Sequence, residues 1–361
     1  MDLLRSQTDE HVLRALMRHR RLTRAELAAE IGISKPTAGE SVRRLAERGL
    51  VADTGERTPG GRGKGRVGSY YALAESAGMA LAVSIAPQGI VGEIFDAYGD
   101  TADRLEHSVG RPAAPADVAA ALERVCWELA AGAGPPRLAV VSAADPVDRA
   151  TDRLVHLPDA PFLVGELDPV AVMAAHVRGP VTVDNDVNWA ARAEREHAGE
   201  DFAYLYLGEG LGCALVAGGE VIRGRSGFAG EIAHLVTTGP QGRAMPLIEA
   251  FGRLGVRLPG TTAIDAGAVL AADRRAVGAA VAGVVAAVVA LVDPGLVVVG
   301  GTWGPALLGA IEEGVAELAR AVPLKPAAVT KEPALAGARR AALERLRAAV
   351  VGDAAQDSSG S

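Results

Sequence analysis

Three short stretches bring together side chains able to do chemistry. In Val183-Asp184-Asn185-Asp186-Val187-Asn188, two carboxylates and two amides crowd the join between an apolar strand and a helix. Such groups at the C-terminal end of a strand are placed to bind a polar ligand, while Asp186 alone has a simpler use as a helix cap. Gly227-Phe-Ala-Gly-Glu231-Ile-Ala-His234, with Glu249 beyond it, adds two acids and an imidazole. Taken singly, that histidine is structural and that distant glutamate is surface charge. Gly208-Glu209-Gly210-Leu211-Gly212 is a glycine turn after an apolar strand; its backbone N–H groups would either cradle phosphate or simply close a hairpin.

A different chemistry is concentrated near the N-terminus. The whole chain has 361 residues and a formal charge of −7, but residues 1–72 carry a net +5 and the remainder a net −12. A small basic head on an acidic body suits a polyanionic partner for the head alone. Within it, residues 9–50 read as three short helices. Val12, Leu13, Leu16 and Met17 have helical spacing; Thr-Arg-Ala-Glu from Thr23 to Glu26 is a capping box; Gly32 stops the second helix and Ser34 caps the third. Two helices joined by a tight glycine turn form a helix-turn-helix, whose second helix enters a major groove by its N-terminal end. Lys35, Thr37, Ser41 and Arg44 are the expected DNA contacts there, on a face away from Val42 and Leu45. The following strand, Gly/Arg-rich tip and second strand read as a wing, with Arg62, Lys64 and Arg66 reaching a narrow minor groove; the alternative is a flexible basic linker.

These sites need elements to position them. From Met79 onward short apolar strands alternate with helices, including one near 117–132, one over 189–197 and the strand Leu-Val-Val-Val-Gly-Gly at 296–301. That pattern predicts an α/β body of two lobes. Ala276 to Val292 contains no charge for 17 residues, yet it runs straight into Asp293-Pro294 and a strand, as a buried core helix would. Two cysteines, Cys126 and Cys213, make neither a disulfide framework nor a four-thiolate metal site. The first residues carry charges every few positions, so no secretory signal, no membrane segment and a cytoplasmic address are expected. The expected division is a DNA-binding head over 1–73, a body over 74–350 and a disordered tail over 351–361.

The order of the pieces then carries a resemblance. A winged helix followed by VDNDVNWAARAE, YLYLGEGLGCALVAGGEVIRGRSGFAGEIAH, DPGLVVVGG and a closing GARRAALERLRAA resembles the ROK family of transcriptional regulators and sugar kinases over most of residues 9–350. The resemblance implies a two-lobed actin-like (ribonuclease-H-type) body, assembled as a homodimer or homotetramer. It implies sugar contacts at Asn185, Asp186, Glu231, His234 and Glu249, with Asp186 matching the general base of the kinases. The chain departs from the family where ATP and zinc would bind. Ser84-Ile85-Ala86-Pro87-Gln88-Gly89 replaces the phosphate-binding Asp and Gly-Gly-Thr turn, Glu209 stands where Thr is usual, and residues 235–248 hold none of the customary zinc cysteines. No catalytic residue, metal or cofactor is therefore expected. The implied function is an operator-binding repressor of carbohydrate genes with a sugar or sugar-derivative effector. The alternatives are a regulator whose body is a vestigial scaffold under a protein partner, and an active sugar kinase.

Overall fold

Local signals in the first fifty residues place the elements closely. The computed structural model describes residues 2–58, 67–157, 161–318 and 320–356. Helix α1 (Asp2–His19) leads through strand β1 (Arg21–Thr23) to α2 (Arg24–Ile31), which opens on the expected capping box: Glu26 N–H donates to Thr23 Oγ1 at 3.2 Å and Thr23 N–H donates to Glu26 Oε2 at 2.8 Å. Gly32, at φ 71°, is the left-handed residue that ends α2. Ser34 caps α3 (Lys35–Glu47) by accepting from Thr37 N–H at 3.2 Å. Strands β2 (Val51–Arg57) and β3 (Ser69–Leu73) pair antiparallel, and β1 joins on the other side of β3, completing a winged helix.

The body repeats one design twice. Strands β4 (Met79–Ala86), β5 (Gly89–Asp96) and β6 (Thr101–His107) form an antiparallel meander. Beyond α4 (Pro115–Ala133), β7 (Leu138–Ala143) and, after the short α5 (Pro169–Met173), β8 (Val181–Asn185) add parallel to β4, giving the order β6-β5-β4-β7-β8. Helix α6 (Asp186–Ala198) crosses to a second sheet built alike. There β9 (Phe202–Leu207), β10 (Leu211–Ala217) and β11 (Glu220–Val221) are antiparallel. After a small hairpin, β12 (Val236–Thr238) with β13 (Ala244–Pro246), come α7 (Leu247–Arg253), α8 (Ala266–Ala271) and α9 (Arg274–Val292). Strand β14 (Val297–Gly300), helix α10 (Leu308–Ala316) and strand β15 (Leu324–Pro326) complete the order β11-β10-β9-β14-β15. Helix α9 is the one helix among the described residues long and apolar enough to cross a bilayer, and its Val277, Val281, Val284 and Val288 are buried in the second lobe.

The chain closes with α11 (Pro333–Gln356), which corrects the expectation of disorder from residue 351. Residues 351–356 continue the helix because they have a surface to pack on: Ala354 is buried, and Arg48 at the end of α3 donates to the carbonyls of Asp353 and Ala354. Residues 357–361 lie outside the described residues. Head and body share one apolar core, in which Val12, Leu16 and Leu45 of the head join Phe95 of the first sheet and Leu346 and Val350 of α11. Two polar links cross the same joint. Arg20 pairs with Asp100, and Tyr98 Oη donates to Arg20 O at 2.9 Å while accepting from Leu73 N–H at 2.7 Å.

Candidate functional site

On α3 the sequence places the DNA-facing residues only in part. Lys35 and Thr37 are exposed at its N-terminal turn, as expected. Ser41 is not: it is 0% exposed, and its hydroxyl donates to Asp9 Oδ1 at 2.5 Å. Arg44 turns to the same carboxylate, with Nη2 2.6 Å from Asp9 Oδ1 and Nε 3.2 Å from Oδ2. The reason is helical phase, since Ser41 lies three residues beyond buried Ala38 and four before buried Leu45. Both residues fasten α3 to α1 and are withdrawn as DNA contacts. Arg43 is exposed instead, held between Glu40 at 3.0 Å and Glu47 at 2.6 Å. Arg62, Lys64 and Arg66, the expected tip of the wing, lie outside the described residues.

The body's cleft is assembled by strand register. Parallel β7 and β8 pair Ser142 with Asp184 and Ala143 with Asn185, so the segments just beyond them rise side by side over one sheet edge. Asn185 caps α6 through Oδ1, which accepts from Val187 N–H at 3.0 Å, and its Nδ2 reaches the carbonyls of Ala143 and Asp145 at 3.4 Å. Asp184 is fully employed below: it accepts from Asn185 N–H and Asn188 Nδ2, each at 2.9 Å, and lies 3.3 Å from Arg223 Nε. The opposite wall is the segment holding Glu231. Its close approach to β10 depends on Gly230, where φ is 98° and a Cβ would sit 1.7 Å from Cys213 O.

These walls enclose a cavity of about 140 Å³ between the lobes. Asn185, Asp186, Glu231 and His234 all line it. Glu249 does not. Its neighbour Ile248 faces the cavity, while Glu249, one step of about 100° around α7, turns outward and pairs with Arg253 at 2.6 Å. A second departure concerns charge. Burial pushes the Asp186 carboxyl up to about 7, and burial together with Asp186 raises Glu231, open to the cleft though it is, to about 7. Beneath the floor, between the lining residues Ala144 and Pro146, lies Asp145, which the sequence reading missed. It is 0% exposed, neither carboxyl oxygen has a side-chain partner, and burial with the nearby charges of Asp186 and Glu231 lifts it to about 7 against the opposing pull of the Leu163 backbone N–H.

The features expected to exclude phosphate and zinc have a structural counterpart. Glu209 in the glycine turn accepts from Arg111 Nη1 at 3.0 and 3.1 Å, and Arg111 Nε donates to Pro87 O at 3.0 Å. The two places where phosphate would be held are thus bridged by an ion pair between the lobes, and Pro87 has no N–H to offer. Arg111 carried no sequence signal, since its partner is 98 residues away. Around His234 the donor set does not fit zinc: residues 235–248 hold no cysteine, and Cys213 is buried with its thiol pushed up to about 12.

Comparison with known proteins matches two separate segments of the chain. Residues 5–52 match a winged helix-turn-helix DNA-binding family, and residues 128–245 match the ROK family. The chain thus carries a winged-helix segment followed by a ROK-matching segment in its body. A solved ROK-family transcriptional regulator, a homologue of the E. coli MLC protein, superposes with a TM-score of 0.62, covering 97% of this chain and 99% of that one. At 18% identity it shows the fold. Among curated proteins, a bifunctional enzyme NanE/NanK of Brucella suis is 34% identical over 149 residues, 37% of this chain and 28% of that protein. A Caldicellulosiruptor sp. protein provisionally named a xylose repressor is 23% identical over 232 residues, covering 62% of this chain and 57% of that protein. The chain thus spans little more than a quarter of the first of these relatives. Proteins named as regulators and a protein named as an enzyme both stand among those it resembles.

Proposed function

We propose that this protein is a sugar-responsive DNA-binding transcriptional repressor, acting in the cytoplasm as a homodimer or homotetramer, and that its ROK body is not a kinase. The head over residues 1–73 binds operator DNA through Lys35 and Thr37 and through the wing, with Arg62, Lys64 and Arg66 as its minor-groove contacts. The body from residue 74 holds the effector between Asn185, Asp186, Glu231 and His234, where carboxylates accept from sugar hydroxyls.

The observation that carries this reading is a continuous packed path from the cleft to the head. Asp186 begins α6, Trp189 on α6 donates to Val141 O at 3.0 Å, and Glu194 accepts from Val329 N–H at 2.6 Å. Gly337 lets α11 lie directly on α6, since a Cβ there would meet Trp189 O at 1.9 Å. Helix α11 then holds the end of α3 through Arg48. A ligand that draws the lobes together tilts α6, and α11 passes the tilt to the DNA-binding helix. The Arg111–Glu209 bridge, which puts a carboxylate where transferring phosphate needs stabilisation and engages the nearby arginine with it, supports this reading over the kinase alternative.

Thermal unfolding of the full chain against monosaccharides, amino sugars, sugar phosphates and ATP tests the proposal. A ligand selective for the folded state raises stability by about 2.7 kcal/mol at a hundredfold excess over its Kd. A shift with a sugar, abolished in Asp186→Ala, is the expected result. No shift with any sugar would turn the body into a scaffold, and ATP turnover lost in Asp186→Asn would restore the kinase.

A further inference from the structure

The cleft is charged in one sense only. Its described lining contains the carboxylates of Asp186, Glu209 and Glu231 and neither lysine nor arginine; His234 is its one basic side chain. Glu209 is answered by Arg111 at the rim. Asp186 has only backbone N–H groups and Asn185 near its carboxylate, and Asp145 beneath it has no side-chain partner, only the backbone N–H of Leu163 nearby. A buried carboxyl with no side-chain donor or opposite charge costs stability unless a later partner meets it or its field. Elsewhere among the described residues buried acids are satisfied: Asp9 by Ser41 and Arg44, Asp184 by two N–H donors and Arg223, Glu194 by Val329 N–H. Among the described residues, buried acids short of partners lie only at the cleft.

A neutral sugar satisfies one or two of these acids through its hydroxyls and leaves the charge uncompensated. A sugar phosphate adds repulsion to it. A metal ion is disfavoured by geometry, because among the described residues no three His, Cys, Asp or Glu side chains converge as ligands. What remains is a cation of sugar size that also carries hydroxyls. We infer that the effector is an amino sugar with an unblocked, protonated amine, whose ammonium group sits between Asp186 and Glu231 above Asp145. This rests on the sugar-effector reading and specifies its chemical class. The ammonium supplies three donors to a site rich in acceptors, and Asp145, too deep to touch the ligand, acts as a positioning charge that favours a cation over an uncharged isostere.

Calorimetric titration of the full chain with glucosamine, mannosamine and galactosamine, each beside its N-acetyl and 2-hydroxy counterpart, is the test. At least one free amine binds about tenfold or more tightly than both of its neutral counterparts. Asp145→Asn, which removes charge while keeping shape, narrows that ratio; the wild-type ratio decides the inference even if the variant fails to fold. Equal or tighter binding of the neutral sugars overturns the amine assignment and leaves the sugar reading standing. No binding by either series overturns both.

Discussion

The head and the cleft treat buried acids in opposite ways, and the contrast separates architecture from function. In the head, Asp9 is buried and completely answered: Ser41 and Arg44 leave the DNA-facing surface to reach it. In the cleft, Asp145 is buried and answered by no side chain, only by the nearby backbone N–H of Leu163, with Asp186 and Glu231 close enough to raise it further. A satisfied buried polar group fixes one helix against another. An unsatisfied one marks where the protein expects something it does not itself contain.

The largest effect should come from breaking the satisfied site. Arg44→Ala leaves Asp9 buried with one hydroxyl and destabilises the protein by about 3 kcal/mol. Denaturant unfolding measures it, and a loss of DNA affinity at unchanged stability would return Arg44 to the DNA surface. Removing the unsatisfied charge should act in the other direction. Asp145→Asn raises the unliganded unfolding midpoint at pH 8 by a few degrees, because the wild type must there hold a charged carboxylate without any side-chain or cationic partner.

The same cluster fixes the sign of the pH dependence. Asp145, Asp186 and Glu231 all titrate near 7 when folded and near 4 when unfolded. The folded state therefore binds more protons between those values, and the cluster's contribution is complete below about 4 and lost as pH rises through about 7. The unliganded protein should melt higher at pH 6 than at pH 8, with a smaller difference in Asp145→Asn. A midpoint independent of pH in both would mean the three acids do not share one enclosed site.

Smaller effects sharpen the assignment of surfaces. Lys35→Ala should lower the salt dependence of DNA binding by about one phosphate contact, while Ser41→Ala should act on stability alone. Glu249→Ala should change stability by less than about 0.5 kcal/mol and leave sugar binding intact. A lost sugar response in Glu249→Ala would show that the loop before α7 rearranges around the ligand.

What the sequence made legible follows from the range of each interaction. The capping box at Thr23, the stop at Gly32 and the cap at Ser34 are settled within four residues, and all stand where the pattern puts them. Asn185, Asp186, Glu231 and His234 meet in one cleft because two local motifs each bring a pair. Ser41 was readable in principle, from its phase relative to Ala38 and Leu45. Asp145 was not: in Ser-Ala-Ala-Asp-Pro it has no periodicity, and its significance depends on β7 and β8 lying in parallel register. Arg111 and Glu209 are joined only by the folding of two lobes. The ending of α11 was misread because its last turn is held by Arg48, some 300 residues earlier.

The central claim is that filling the cleft changes how the head holds DNA. Fluorescence anisotropy on an operator selected from genomic DNA by the protein itself tests it most directly, with glucosamine and glucose titrated in at fixed salt. Release of the operator by a sugar is the predicted result, with the amine the stronger ligand and no release in Asp186→Ala. Unchanged operator affinity at a sugar concentration that calorimetry shows to saturate the cleft would contradict it.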